Sequence, residues 1–124
     1  MSRKVESDPR KHSWMNSAVT RRYRVEITAA AERDIQRIHD YIARDKPRAA
    51  GNWVRQIKRQ IRSLGLMPLR CEIIPEAEDV GIEYRHIIFG QYRTIFRIVA
   101  KRVIILRVIH GARLLDLSFL NLPF

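Results

Sequence analysis

Apolar and polar residues begin to alternate at Tyr23. Tyr23, Val25 and Ile27 are separated by Arg24, Glu26 and Thr28, the period of two that predicts a strand with one buried face. The period then lengthens. Ala31, Ile35, Ile38 and Ile42 recur at steps of three and four, which predicts an amphipathic helix with a single apolar stripe. Thr28 is placed to cap its N-terminus, and Glu32 in the first turn suits the helix dipole. Asp45-Lys46-Pro47 ends this helix, and Pro47 fits the first turn of a second one. There Ala50, Trp53, Val54, Ile57, Ile61 and Leu64 form an inner side, with Arg48, Arg55, Lys58, Arg59 and Arg62 outside. Gly65 is a natural C-cap, and Pro68 prevents the helix from resuming.

After Pro68 the period returns to two. A short strand is expected over 70–74, then an acidic loop over 75–80 carrying Glu76, Glu78 and Asp79. Three further strands follow over 82–88, 91–99 and 102–110. Phe89-Gly90 and Ala100-Lys101 are short enough to be tight hairpin connections. The order β-α-α-β-β-β-β predicts an α+β fold: two antiparallel N-terminal helices packed on a mostly antiparallel sheet. Residues 22–124 form one domain in this reading, and the polar, aperiodic residues 1–21 are an extension to it.

The last two strands carry more charge than a sheet core wants: Arg93, Arg97, Arg107 and His110, with Arg113 just beyond. Pairing Ile88 with Gln91, and Val99 with Arg102, would put Tyr84, His86, Arg93, Arg97 and His110 on one face. Arg85 and Arg107 would then point the other way, and a one-residue slip would undo the arrangement. The bland alternative is that these are strand charges whose stems lie over apolar neighbours. We take that alternative for Arg97 and Arg107. For Arg93, His86 and Arg113 an anion-binding surface stands beside it.

Composition narrows the classes. The chain has 124 residues and a formal net charge of +11, enough for one core and a strongly positive surface. Such a surface suits a polyanionic partner, nucleic acid or an acidic protein. Cys71 is the single cysteine, which excludes an internal disulfide and fits a reduced, cytoplasmic setting. No apolar run approaches the roughly 20 residues of a membrane span, so no membrane association is expected. His12, His39, His86 and His110 do not fall at metal-ligand spacing, and there is no glycine-rich phosphate loop. Neither metal nor cofactor is therefore expected. Metal-free RNA cleavage remains open: Arg93 and Arg113 would supply cations, and His86 or His110 would carry protons.

The stretches Y-R-V-E-I-T-A-A-A-E-R-D-I and G-Q-Y-R-T-I-F-R-I-V-A-K-R-V-I-I-L-R-V-I-H-G-A-R, in this element order, resemble the RelE/ParE superfamily. These are toxins of type II toxin–antitoxin modules, often labelled plasmid stabilisation proteins, and the resemblance covers roughly residues 22–116. One branch cuts mRNA on the ribosome with a basic set on the sheet and a late aromatic hydroxyl. Arg93 and Arg113 match two arginines of that set. Tyr84 and His86 stand where that branch carries lysines, and Phe119 stands where it carries the late tyrosine. The H-G-A-R ending and the Y-R-x-x-F-R strand are closer to the ParE branch, whose members poison DNA gyrase.

The resemblance thus implies a growth-inhibiting toxin aimed at gyrase, with a cognate antitoxin as its tight partner and DNA contacted only through the antitoxin complex. A ribosome-dependent mRNA endonuclease is the alternative, and an inactive antitoxin-binding module a third. Tyr84, His86, Arg93, His110, Arg113, Leu117 and Phe119 are the expected target- or antitoxin-binding residues. If the chain is instead a nuclease, Arg93, Arg113, His86 and His110 are its catalytic candidates.

Overall fold

The computed structural model describes residues 22–77 and 81–113. Within them the elements run β1 (Arg24–Ile27), α1 (Ala29–Ala43), α2 (Pro47–Ser63), β2 (Arg85–Phe89), β3 (Tyr92–Val99) and β4 (Arg102–His110). The sheet order is β1-β4-β3-β2; β1 runs parallel to β4, and the other neighbours are antiparallel. The fold is α+β, as the periodicities predict.

Thr28 does more than cap α1. Its hydroxyl accepts from the Ala31 N–H at 3.2 Å and donates to the carbonyls of Ile105 (2.8 Å) and Leu106 (3.2 Å). β1 stops at Ile27, opposite Ile105, so beyond that point the edge of β4 needs other partners. Thr28 supplies a donor there, and Asp34 supplies an acceptor to the Val108 N–H at 3.0 Å.

Two clusters lie on opposite faces of the sheet. Ala31, Ile35, Trp53, Ile57, Ile61 and Leu64 from the helices pack on Phe96, Val103, Ile105 and Val108. Ile95, Ile104, Leu106 and Ile109 face the other way, under Ile74, Ala77 and Tyr84 from the segment between α2 and β2. The chain therefore fills both faces with the alternation of one strand pair. Among the described residues, no helix is long and apolar enough to cross a membrane.

The strand expected over 70–74 does not form. Pro68–Arg70 and Pro75–Ala77 are single 3-10 turns, and Ile73 makes only an isolated bridge to Arg85. Proline starts both turns, and the first of them takes the Arg70 and Cys71 N–H groups, which donate to the Met67 and Pro68 carbonyls instead of a ladder. Ile74 N–H still donates to Tyr84, and Glu72 accepts from the His86 N–H, so the segment covers the outer edge of β2 without becoming a strand. Gly65 is not the cap of α2, which is Leu64. Gly65 instead lets β1 approach, since a Cβ there would sit 3.3 Å from the carbonyl oxygens of Arg62 and Tyr23.

The expected registers hold in part. Val99 does pair with Arg102, and the ladder runs from there to Phe96–Ile105. A bulge between Ile95 and Phe96 then shifts it by one, giving Ile95–Arg107, Arg93–Ile109 and Tyr92–His110. In the first hairpin Phe89 pairs with Tyr92 and Ile88 with Arg93, two positions from the expected pairing. A shift of two preserves the face and a shift of one reverses it. Tyr84, His86, Arg93 and Arg97 consequently share the face away from the helices, as expected, whereas His110 does not: it lies on the helix side with Tyr92.

Candidate functional site

A groove of about 750 Å³ opens where the β2–β3 turn meets the end of β4. Its lining includes Glu76, His86, Ile88, Arg93, His110 and Gly111. Gly111 allows the β2–β3 turn and the end of β4 to meet: its N–H donates to the Gln91 carbonyl at 2.7 Å, and a Cβ on it would stand 3.3 Å from that oxygen. Ile88 points away from the helices and is 60% exposed, giving the groove an apolar wall.

Arg93 is the centre of the polar part, and it is not an open cation. It is 5% exposed and forms a two-point ion pair with Glu76, Nη1 to Oε1 at 3.1 Å and Nη2 to Oε2. Nη2 also donates to the Arg113 carbonyl at 2.9 Å, while Nη1 lies 3.4 Å from His86 Nδ1. A guanidinium has no acceptor, so Nδ1 must be the unprotonated nitrogen and the Nε2–H tautomer is favoured. Burial, and then the charge of Arg93, push His86 below the usual imidazole range against the opposing pull of Glu72 and Glu76. His86 is thus neutral at pH 7.

The remaining predicted residues scatter around this centre. Tyr84 is buried, with the Arg97 guanidinium 5.9 Å from its ring centroid. Arg113 enters through its backbone. His110 stands edge-on to Tyr92 at 5.7 Å, and its Nδ1 accepts the Ala112 N–H at 3.2 Å. It reaches the groove rim from the helix side and not as a partner of Arg93. Leu117 and Phe119 lie outside the described residues.

Two acids were missed by the sequence reading. Glu76 comes from the acidic loop, conspicuous in a chain of net charge +11, but its pairing with Arg93 depends on the loop folding back over the sheet. Asp34 sits on the inner stripe of α1, between Ala31 and Ile38, and is fully buried. It holds Arg107 by Nε at 2.6 Å and Nη2 at 2.9 Å. Arg107 is therefore an internal ion-pair partner, not the surface strand charge expected, because Asp34 reaches it from the buried side of α1. Asp34 and Arg107 fix the bulge that decides which side chains reach the groove.

Chemically, the groove offers an apolar wall, a neutral imidazole and a cation already matched to a carboxylate. Freeing Arg93 to stabilise a phosphate would leave Glu76 without its partner, and breaking a buried pair costs about 3–5 kcal/mol. The arrangement suits holding an apolar side chain beside a polar group.

A family model described as ParE toxin of type II toxin–antitoxin system, parDE, matches residues 25–115. The fold is similar to a chain of the chromosomal ParDE system from P. aeruginosa, with 22% identity and a TM-score of 0.60 over 73% of this chain and 97% of that one. It is also similar to a chain of the RelBE2 toxin–antitoxin complex from Mycobacterium tuberculosis, with 25% identity and a TM-score of 0.50 over 74% and 94%. No curated protein sequence matches the chain significantly.

Proposed function

The chain belongs to the ParE toxin family of type II toxin–antitoxin systems, and from that premise we propose that it arrests growth by acting on DNA gyrase and is silenced by a cognate antitoxin. The observation that carries the choice of target is the buried Arg93–Glu76 pair. A nuclease needs its cation available to the charge that develops at the phosphate. Here the guanidinium best placed for that role is neutralised from within, and His86 beside it is neutral. Phe119, at the position of the expected late hydroxyl, supports the same reading from sequence.

The antitoxin reading draws on the RelBE2 neighbour, a chain of a toxin–antitoxin complex. It is also supported by the groove, whose exposed Ile88 offers an apolar anchor beside polar groups. The 3.4 Å approach of His86 to Arg93 keeps mRNA cleavage as the second reading, since a base and a cation are adjacent.

Induction of the chain without antitoxin, with plasmid supercoiling and mRNA integrity read in parallel, separates the two. Loss of gyrase-dependent supercoiling with intact mRNA is the expected result. Ribosome-dependent cleavage abolished by Arg93→Ala would overturn it. Unhindered growth at high protein level would mean that the chain acts only as an antitoxin-binding module.

A further inference from the structure

The outer face of α2 has no part in the groove. At 100° per residue, Arg48, Arg55, Arg59 and Arg62 fall within an arc of about 60°, diametrically opposite the buried Trp53, Ile57 and Ile61. At 1.5 Å per residue the row is about 21 Å long. All four side chains are exposed, and α2 contains no acidic residue. Among the described residues none of the four is paired with a carboxylate; Arg55 donates to Asn52, and the nearby Lys58 meets Glu32 at 3.5 Å. A helix placing four like charges in one row loses stability from their repulsion. The core does not need them, because the packing of α2 is carried by its opposite side.

We propose that this arginine row is a binding surface for the phosphate backbone of duplex DNA. The chemistry of the row selects the partner. A protein interface needs apolar or aromatic anchors at its centre. The exposed positions of α2 offer none beyond Pro47 and Ala49 at its first turn, and the large exposed apolar residues (Tyr41, Met67, Leu69, Ile73, Ile82 and Ile88) all lie elsewhere. Single-stranded nucleic acid is held by stacking on aromatic rings, and the row has no ring. A duplex backbone asks only for guanidinium and amide donors at intervals along a rigid element, which Arg48, Asn52, Arg55, Arg59 and Arg62 supply. The wide major groove of B-form DNA admits a helix, whereas the major groove of an RNA duplex is narrow and deep. The inference concerns a surface separate from the groove and does not depend on which target the toxin attacks.

The test is a binding titration of the full-length chain, without antitoxin, against a 25-base-pair DNA duplex at several salt concentrations. It compares the native chain with R48Q/R55Q/R59Q/R62Q and with a control, R24Q/R33Q/R44Q/K101Q, that removes the same charge from exposed positions elsewhere. Glutamine matches arginine closely in helix propensity, and unchanged circular dichroism verifies the fold. A third chain with lysine at all four row positions retains the charge. If each row arginine neutralises one phosphate, the first variant loses about 30-fold or more in affinity at 0.1 M salt. Its logarithmic salt slope becomes shallower by about 3–4. The control loses less than about threefold, and the lysine chain keeps most of the binding.

Equal losses in the row and control variants would reduce the effect to net charge and overturn the proposal. Absence of DNA binding by the native chain, or equal or tighter binding of an RNA duplex of the same length, would overturn it as well. So would loss of antitoxin binding by the row variant with DNA binding intact, which would assign the row to an acidic protein.

Discussion

Replacing Asp34 with asparagine exchanges one oxygen for an NH2 group at a carboxylate that four N–H donors share. Oδ2 accepts from Arg107 Nε at 2.6 Å and Val108 N at 3.0 Å; Oδ1 accepts from Arg107 Nη2 at 2.9 Å and Arg37 Nη1 at 3.0 Å. Whichever way the amide is turned, its NH2 faces donors. The Asp34 side chain is 0% exposed and that of Arg107 15%, so removing the charge leaves a largely buried guanidinium uncompensated. Breaking such a pair from one side costs about 3–5 kcal/mol. Arg37, 65% exposed, is worth no more than about 1 kcal/mol to the same carboxylate. For a domain of this size each kcal/mol is about 4–8 °C of midpoint, so Asp34→Asn should lower Tm by on the order of 15 °C or more, and Arg37→Ala by a few degrees.

Thermal unfolding followed by circular dichroism measures both Tm shifts, urea unfolding gives the corresponding free energies, and the pH dependence adds a further check. Burial alone would raise the Asp34 carboxyl, but the hydrogen bond from Arg107, the Val108 amide, the charge of Arg107 and the Arg37 contact outweigh it and hold the group below its ordinary value. A depressed folded pKa contributes stability that is complete above the unfolded value of about 4 and is lost as pH falls through the folded one. The gap between the native chain and Asp34→Asn should therefore be full at pH 7 and shrink below about pH 4. A loss under about 1 kcal/mol at pH 7, no larger than that of Arg37→Ala, would refute the claim that this pair holds the bulge.

Glu76→Gln should destabilise by about 3 kcal/mol in chemical denaturation, and E76L/R93M should recover most of that, because a buried pair can be replaced by apolar groups more readily than broken. His86 should titrate below its ordinary 6.5 in an NMR experiment. Below that value the unfolded chain takes up a proton that the folded chain refuses, so stability should fall as pH drops from about 6.5 through the folded value and level off beneath it. His86→Gln should remove that slope. Ala100 occupies the β3–β4 turn at φ +55°, a conformation costly for a residue with a Cβ. Ala100→Gly should raise stability by roughly 0.5–1 kcal/mol in the same urea assay, the relieved strain exceeding the entropy that glycine adds to the unfolded chain.

Periodicity by itself determined the elements. Steps of three and four over Ala31–Ile42 and Ala50–Leu64, and alternation over β3 and β4, are local consequences of backbone geometry and are written into consecutive residues. Thr28 as a cap, Pro47 at a helix start and the turn at Ala100-Lys101 are local in the same sense. The resemblance of the strand pair ending in His110-Gly111-Ala112-Arg113 was also legible without coordinates. The short strand expected near Cys71 failed because the 3-10 turn starting at Pro68 takes the Arg70 and Cys71 N–H groups for its own bonds and a second turn begins at Pro75, leaving only an isolated bridge at Ile73.

What only the tertiary structure decided is where the charges go. Glu76 and Arg93 are 17 residues apart, Asp34 and Arg107 73, and no local pattern links either pair. A single extra residue in β4, beside the Arg107 and Val108 that Asp34 holds from another element, sent His110 to the opposite face from Arg93. Chain chemistry supplied the arginines; desolvation and long-range pairing determined that Arg93 and Arg107 are neutralised inside the fold. Those on the outer face of α2 are left facing solvent, because the side of a helix that packs on the sheet fixes, by geometry, the side that cannot.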